Sequence, residues 1–264
     1  MNPSPFSLAL GGWAARGLAH IGVIKRLEEL GMSPVAIAGT SMGAIIGTLL
    51  ALGSTSDEMR TIIANIAWMK LIDIDLKKWL LKWQKIEKFL DTIFEGKSFS
   101  DTQIPLTMIA TDINTGDNIV LREWNLAQAV RASISIPWIF MPKTLWGREL
   151  VDGILTNKLP IEHLPPGFVI ASSALRDLKR PIKYKRRVWG IEWQKTIIGN
   201  AYSYTQKVID IVSHQNEARS VWSRKDVLYI ISEFDKLDYI DFLRYDEFIT
   251  AGYRASEVIV GCRG

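Results

Sequence analysis

The sequence predicts an α/β fold: a three-layer α/β/α sandwich around a mixed, mainly parallel central sheet. Three observations point there. Short apolar runs alternate with longer stretches of helical periodicity along most of the 264 residues. The chain opens with strand, helix and strand in close succession, the pattern of a right-handed βαβ unit. The second of those strands runs into Gly39-Thr40-Ser41-Met42-Gly43 and then a helical stretch, the strand-turn-helix context of a nucleophile elbow.

In chain order, Phe6 to Leu10 is an apolar strand and Gly11 to Gly17 a loop. Residues 17–30 read as a helix with Ala19, Val23, Leu27 and Leu30 on one face, stopped by Gly31. Residues 35–39 form the second strand and residues 43–52 the next helix. Helices follow over residues 57–95, with Ser56-Asp57 or Asp57 itself as the expected cap. Leu106 to Asp112 and Asn118 to Arg122 read as strands joined through the turn Asn114-Thr115-Gly116-Asp117. Leu126 to Ser133 is a short helix ending before Pro137, and Glu149-Leu150-Val151 is the end of a short strand. Phe168 to Ala171 is a buried strand. Residues 192–222 and 245–260 are helical, with Val227 to Ile231 a strand between them.

The glycines flanking the elbow let the turn close without Cβ clashes. They leave the Ser41 hydroxyl at the carboxyl edge of the sheet, above the positive end of a helix dipole, where it can attack a carbonyl. Both loops of the βαβ unit leave that same edge, and neighbouring strands lie about 5 Å apart. Amides of the Gly11 to Arg16 loop can therefore point at an oxyanion formed on Ser41. A dinucleotide site is the competing reading of this loop. It is disfavoured, because Ala14 stands where the fingerprint wants its middle glycine and no acidic residue ends the second strand.

Several spaced motifs then agree. They are Arg16-Gly17-Leu18-Ala19-His20-Ile21-Gly22-Val23, Gly39 to Gly43, Ala110-Thr111-Asp112-Ile113-Asn114-Thr115-Gly116, Ala129 to Pro137, and Val151-Asp152-Gly153 running on to Pro160. Over residues 6–170 this succession resembles the bacterial branch of the patatin-like phospholipases. The resemblance implies one domain over residues 1–264, with residues 57–100 as a helical lid or membrane-facing insertion. It implies a serine lipid acyl hydrolase cleaving ester bonds of phospholipids, lysophospholipids or other acyl lipids, with no cofactor and no metal. Ser41 would be the nucleophile and Asp152 the base of a Ser-Asp dyad that forms an acyl-enzyme. Gly11, Gly12, Trp13 and Ala14 would make the oxyanion hole, Arg16 and Gly17 would anchor the loop, and Gly39 and Gly43 would shape the elbow. Two departures stand out: glycine is usual in the family at the positions of Trp13 and Ala14, and Ile154 replaces a small residue. Trp and Ala still donate an N–H, but they do not readily take positive φ and their Cβ crowds a substrate. Losing one oxyanion donor costs about 100- to 1000-fold in rate. The rival reading is therefore a catalytically weakened protein that binds lipid or membrane.

Serine needs a base. His20, inside the first crossover helix, reads as a packing or hydrogen-bonding residue. His163 lies in a Pro-flanked loop and His214 in a polar helical stretch read as surface. A triad of Ser41, Asp152 and His163 or His214 would follow the chain order of α/β-hydrolases, which normally have more chain before the elbow. Asp152 ends a strand beside Gly153, which places its carboxylate at the active edge, although Asp-Gly turns are also common without function. As a base it needs a pKa raised by burial. Arg16 opposes the dipole at a helix start, so an internal carboxylate is its expected partner.

Composition suits one α/β domain, 48% hydrophobic, and the single cysteine, Cys262, excludes an internal disulfide. No run of eighteen apolar residues or secretory leader is present, which predicts a cytoplasmic protein. A net charge of +4 and ten Trp lean toward peripheral contact with a membrane. Leu76, Trp79, Leu80, Trp83, Ile86 and Leu90 share a helical face bordered by Lys77, Lys78, Lys82, Lys85 and Lys88, which suits a bilayer surface or ordinary core packing equally. The basic run Arg176 to Arg187 fits a solvated loop or anionic headgroups, and no nucleic-acid motif accompanies it. The expected partners are thus an acyl-lipid substrate and a transient membrane surface, with monomer and homo-oligomer both open.

Overall fold

The computed structural model describes residues 5–66, 79–137, 140–174, 187–188, 191–192, 197–234, 237 and 241–262. Its strands are β1 (Phe6–Leu10), β2 (Ala36–Thr40), β3 (Leu106–Asp112), β4 (Asn118–Leu121), β5 (Lys143–Leu145), β6 (Arg148–Asp152), β7 (Phe168–Ser173), β8 (Arg187–Val188), β9 (Ile191–Glu192) and β10 (Val227–Ile231). The helices are α1 (Ala19–Glu29), α2 (Met42–Ala51), α3 (Ser56–Asn65), α4 (Trp79–Ile93), α5 (Leu126–Ser133), α6 (Ile197–Trp222) and α7 (Tyr245–Ala255). The main sheet runs β10-β7-β1-β2-β3-β6-β5, with β4 also on β3. The first five of these are parallel, and β4, β5 and β6 join antiparallel. The sheet is therefore mixed and mainly parallel, as the alternation of elements predicts.

Side chains alternate across a strand, so each strand feeds two cores. Phe6, Leu8 and Leu10 of β1 enter the larger core, shared with α1 to α5 and α7. Ala9, Ala38 and Ala171 face a smaller core with Leu159, Ile161 and Val221 of α6. Helices cover both faces, which gives the three layers.

One register detail positions the site. Thr40, the last residue of β2, pairs with Ile109 of β3. Asp152, the last residue of β6, pairs with Ala110. Since β4 occupies the other edge of β3 over these residues, β2 and β6 lie on the same edge and run toward each other. Their ends meet one residue apart along β3.

Several expectations need correction. The first helix opens as a 3-10 turn, Ala14–Leu18, before α1 begins. The cap of α3 is Thr55, not Ser56 or Asp57. Its hydroxyl accepts the Glu58 N–H at 3.3 Å while the Glu58 carboxylate accepts the Thr55 N–H at 2.8 Å, a capping box. Ser56 instead hydrogen-bonds Glu28 of α1. The strand around residues 149–151 is half of a β5–β6 hairpin whose other half gave no signal. Its turn, Trp146-Gly147, has φ of 52° and 74°. Residues 245–260 are α7 followed by a 3-10 stretch, Ser256–Cys262.

On the amphipathic stretch, Ile86 and Leu90 are buried in the larger core. Leu76, Trp79, Leu80, Trp83 and the lysines from Lys77 to Lys85 lie outside the described side chains, as does the whole run from Arg176 to Arg187. No helix among the described residues is long and apolar enough to cross a membrane.

Candidate active site

Ser41 is the N-cap of α2, held at φ 55°, ψ −120° between β2 and the helix. Non-glycine residues at positive φ cost on the order of 1–3 kcal/mol and persist only where the surroundings impose them. Here the surroundings are visible. The Ser41 N–H donates to the Ser133 hydroxyl at the end of α5, 2.9 Å away. The Thr40 hydroxyl donates to the Asn157 carbonyl at 2.9 Å. The flanking glycines are required by close approach: a Cβ on Gly39 would lie 2.3 Å from the Gly43 carbonyl oxygen, and one on Gly43 would lie 2.1 Å from that of Leu10. Gly43→Ala should push α2 off β1 and cost about 1–3 kcal/mol, the range for overpacking. Urea unfolding measures it, and an unchanged midpoint would contradict this packing.

The Ser41 hydroxyl donates to Asp152 Oδ2 at 2.7 Å. The other carboxylate oxygen accepts the Ile154 N–H at 3.0 Å. Asp152 is anchored through its backbone too: its N–H donates to the Ser135 carbonyl at 2.9 Å, and its carbonyl accepts the Thr111 hydroxyl at 3.1 Å. Ser41 is 3% exposed and Asp152 is fully buried. Burial pushes the Asp152 carboxyl up to about 7, against the opposing pull of the Ile154 and Ser41 hydrogen bonds. The pair is thus a serine hydroxyl bound to a carboxylate whose proton affinity lies near neutrality.

The glycine-rich loop lies directly over Ser41. A Cβ on Gly12 would come 2.9 Å from the Ser41 Cβ and 2.7 Å from Ile154 Cγ2. The Gly11 and Gly12 amides, however, do not face an oxyanion. The Gly11 N–H donates to the Ser172 carbonyl and the Gly12 N–H to the Lys158 carbonyl, both at 3.0 Å. Parallel pairing with β7 and the return of the chain after Asp152 take up these donors. At the start of α2 the Ala44 N–H donates to the Ser41 carbonyl at 2.9 Å, while Met42 and Gly43 stand at the first two helical positions, whose amides have no intrahelical acceptor. Ala14 adopts φ 44°, contrary to the expectation that it would resist the left-handed region, while Trp13 is extended at φ 174°. Ala14→Gly should relieve this strain and raise stability by less than about 1 kcal/mol, since glycine also loosens the unfolded chain. A lower melting temperature would count against the strained loop.

The remaining residues of interest have other partners. His20 is fully buried. It bridges the Gly11 carbonyl and the Ser172 hydroxyl, each at 2.7 Å. The carbonyl requires Nε2 to donate, so Nδ1 accepts from Ser172. Burial lowers its pKa to about 4 and keeps the ring neutral. His163 hydrogen-bonds Asn118 and lines a cleft of about 530 Å³ with Ala36, Leu106 and Arg122. Ala36 and Leu106 begin β2 and β3, so that cleft opens at the sheet edge opposite Ser41. His214 is half-buried on α6 rather than a surface residue. Arg16 is buried, with one guanidinium N–H on the Leu237 carbonyl and its charge over the Phe234 ring. Gly17 sits against Met42, where a Cβ would come within 2.5 Å of the Met42 Cβ. Sequence reading missed Ser133, the Ile154 amide and the Lys158 carbonyl. All three fall inside quoted motifs, but only the fold shows what they hold.

A family model described as patatin-like phospholipase matches residues 8–165. An uncharacterized NTE family protein of Mycobacterium tuberculosis is 35% identical over 158 residues, covering 59% of this chain and 44% of that protein. The patatin-like phospholipase domain-containing protein 6 of Mus musculus is 26% identical, covering 99% of this chain and 21% of that protein. The chain therefore spans less than half the length of these curated relatives. Among solved structures, VipD from Legionella pneumophila superposes with a TM-score of 0.59 at 13% identity, covering 98% of this chain and 67% of VipD, which is a likeness of fold.

Proposed function

The chain belongs to the patatin-like phospholipase family, and from that premise we propose that it is a serine lipid acyl hydrolase working through a Ser41–Asp152 dyad. The observation that carries the reading is the 2.7 Å hydrogen bond from the Ser41 hydroxyl to Asp152. Asp152 accepts the Ser41 proton as the hydroxyl oxygen attacks the ester carbonyl. The tetrahedral oxyanion is held by amides at the Trp13–Ala14 end of the loop and at the start of α2. Asp152 returns the proton to the departing alkoxide, which leaves as the alcohol, and Ser41 keeps the acyl group. Asp152 then deprotonates a water that attacks the acyl-enzyme, and its proton goes back to Ser41 Oγ as the fatty acid leaves. The Ile154 N–H fixes Oδ1, so Oδ2 stays aimed at the serine.

Ser41 is sealed in this structure, so the ester must open a path to it; phospholipids, lysophospholipids and other acyl lipids are the proposed substrates, met at a membrane surface. Ala14 already holds a left-handed φ of 44°, at a position where glycine is usual in the family. That favours a working loop over the binding-only reading. A fluorophosphonate probe decides between them. Covalent labelling at Ser41, absent in Ser41→Ala, is the expected result. Lipid binding without labelling would establish the binding-only protein.

A further inference from the structure

Behind the loop lies a charged pair that the reaction does not consume. Lys158 Nζ and Glu217 Oε2 are 3.0 Å apart, and each side chain is 1% exposed. Desolvating such a pair costs several kcal/mol per ion, and well-packed apolar residues of similar volume often serve stability as well or better. Stability alone does not explain its presence.

Its connections converge on the loop over Ser41. The Lys158 carbonyl accepts the Gly12 N–H at 3.0 Å. The Lys158 ammonium lies 5.4 Å from the centroid of the Trp13 ring, within cation–π range. The second oxygen of Glu217 accepts the Tyr229 hydroxyl at 2.8 Å, which ties the carboxylate to β10 and so to the sheet. The neighbouring residues of α6 grip the turn that carries Asp152. Ile209 packs with Trp13 and Ile154, and the Asn216 amide donates to the Leu155 carbonyl at 2.8 Å. Ile209, Asn216 and Glu217 stand at i, i+7 and i+8, one face of a helix. That face touches both halves of the site. Burial lowers the Lys158 pKa, and the charge and hydrogen bond of Glu217 oppose that fall.

We propose that Lys158 and Glu217 are positioning residues that clamp Trp13 and Gly12, holding the oxyanion loop in place over Ser41. The clamp rests on the hydrolase reading above. It also gives Trp13 a purpose where glycine is usual: the aromatic face caps the buried ammonium and stiffens a loop that glycine would leave free.

The test is Lys158→Met/Glu217→Gln, which removes both charges and keeps an acceptor for Tyr229. The variant should melt near the wild-type temperature. Its kcat on a p-nitrophenyl ester should fall about tenfold to a hundredfold, with KM and the acid limb of the pH profile unmoved, as for a reacting group displaced by about 1 Å. Amide hydrogen exchange over residues 11–17 should quicken while that of β3 does not. In a Trp13→Leu background the same pair of substitutions should cost much less, because the two changes break one contact. Should the paired variant not fold, Tyr229→Phe releases one Glu217 oxygen, with a modest loss of stability from the unmade hydrogen bond, and the same exchange and kcat changes are expected in smaller measure. Unchanged kcat and exchange in a folded variant, or additive effects with Trp13→Leu, would overturn the clamp and leave the hydrolase standing. A wild-type protein inert to both ester and fluorophosphonate would overturn the hydrolase and the clamp with it.

Discussion

Ser41→Ala and Asp152→Asn should each lower turnover of a p-nitrophenyl ester by about 10⁴-fold or more, the scale seen when one member of a nucleophile–base unit is removed. Ser41→Ala removes the atom that becomes acylated. Asp152→Asn keeps the shape and removes the proton acceptor. Because the two act together, the double variant should be no slower than Ser41→Ala alone. Both folds should survive, since neither change adds volume to the buried site. Circular dichroism and melting curves check the fold, and single-turnover kinetics check the acylation step. Full activity in either variant would refute the dyad.

The Asp152 carboxyl, raised to about 7 by burial, should appear twice in pH-dependent measurements. As the base it must be ionised, so kcat/KM should rise with pH along a limb centred near pH 7, which reports the free enzyme. Stability runs the other way. Its unfolded value is 3.8, so between pH 3.8 and about 7 the folded state holds a proton that the unfolded state has released. Folding stability from this group is full below that window and is lost as pH rises through it. Above pH 7 the buried charge costs on the order of a few kcal/mol, at 1.36 kcal/mol per unit. Asp152→Asn removes that cost. The variant should be more stable than wild type at pH 8, with the gap closing toward pH 4. His20 has the opposite sign: lowered to about 4, it loses stability as pH falls from 6.5 toward 4. It contributes equally to both proteins, so their difference isolates Asp152. Urea titrations at pH 4.5 and 8 make the comparison. A gap that does not change with pH, or an Asn variant weaker at pH 8, would show that Asp152 is not held neutral by burial.

Much of this site is legible residue by residue. Glycines on both sides of Ser41, after an apolar run and before a helical one, allow few backbone paths, and Asp152-Gly153 at a strand end allows few others. The β5–β6 hairpin was illegible because its turn is Trp146-Gly147. Tight hairpins of this kind need positive φ at both turn residues and usually use Asn or Gly there, so nothing in the residue types announces it. The Thr55 cap differs for a simpler reason: the capping-box spacing Thr55-x-x-Glu58 is present in the sequence and lies one residue before Ser56-Asp57. Two of the four expected oxyanion donors differ for another reason. Gly11 and Gly12 have the right chemistry, yet their amides are taken by Ser172 and Lys158, partners brought from far along the chain. His20 likewise could be read as a hydrogen-bonding residue, but not as the link between the loop and β7.

Local patterning determined which groups this protein carries and that the serine sits on a strand-to-helix turn at a sheet edge, because apolar periodicity and glycine placement act within a few residues. Only the assembled sheet decided that the serine meets an aspartate 111 positions away. That meeting depends on β2 and β6 ending opposite adjacent residues of β3. Pairing register is set by the packing of the whole sheet between its two helical layers, and no short stretch of sequence specifies it.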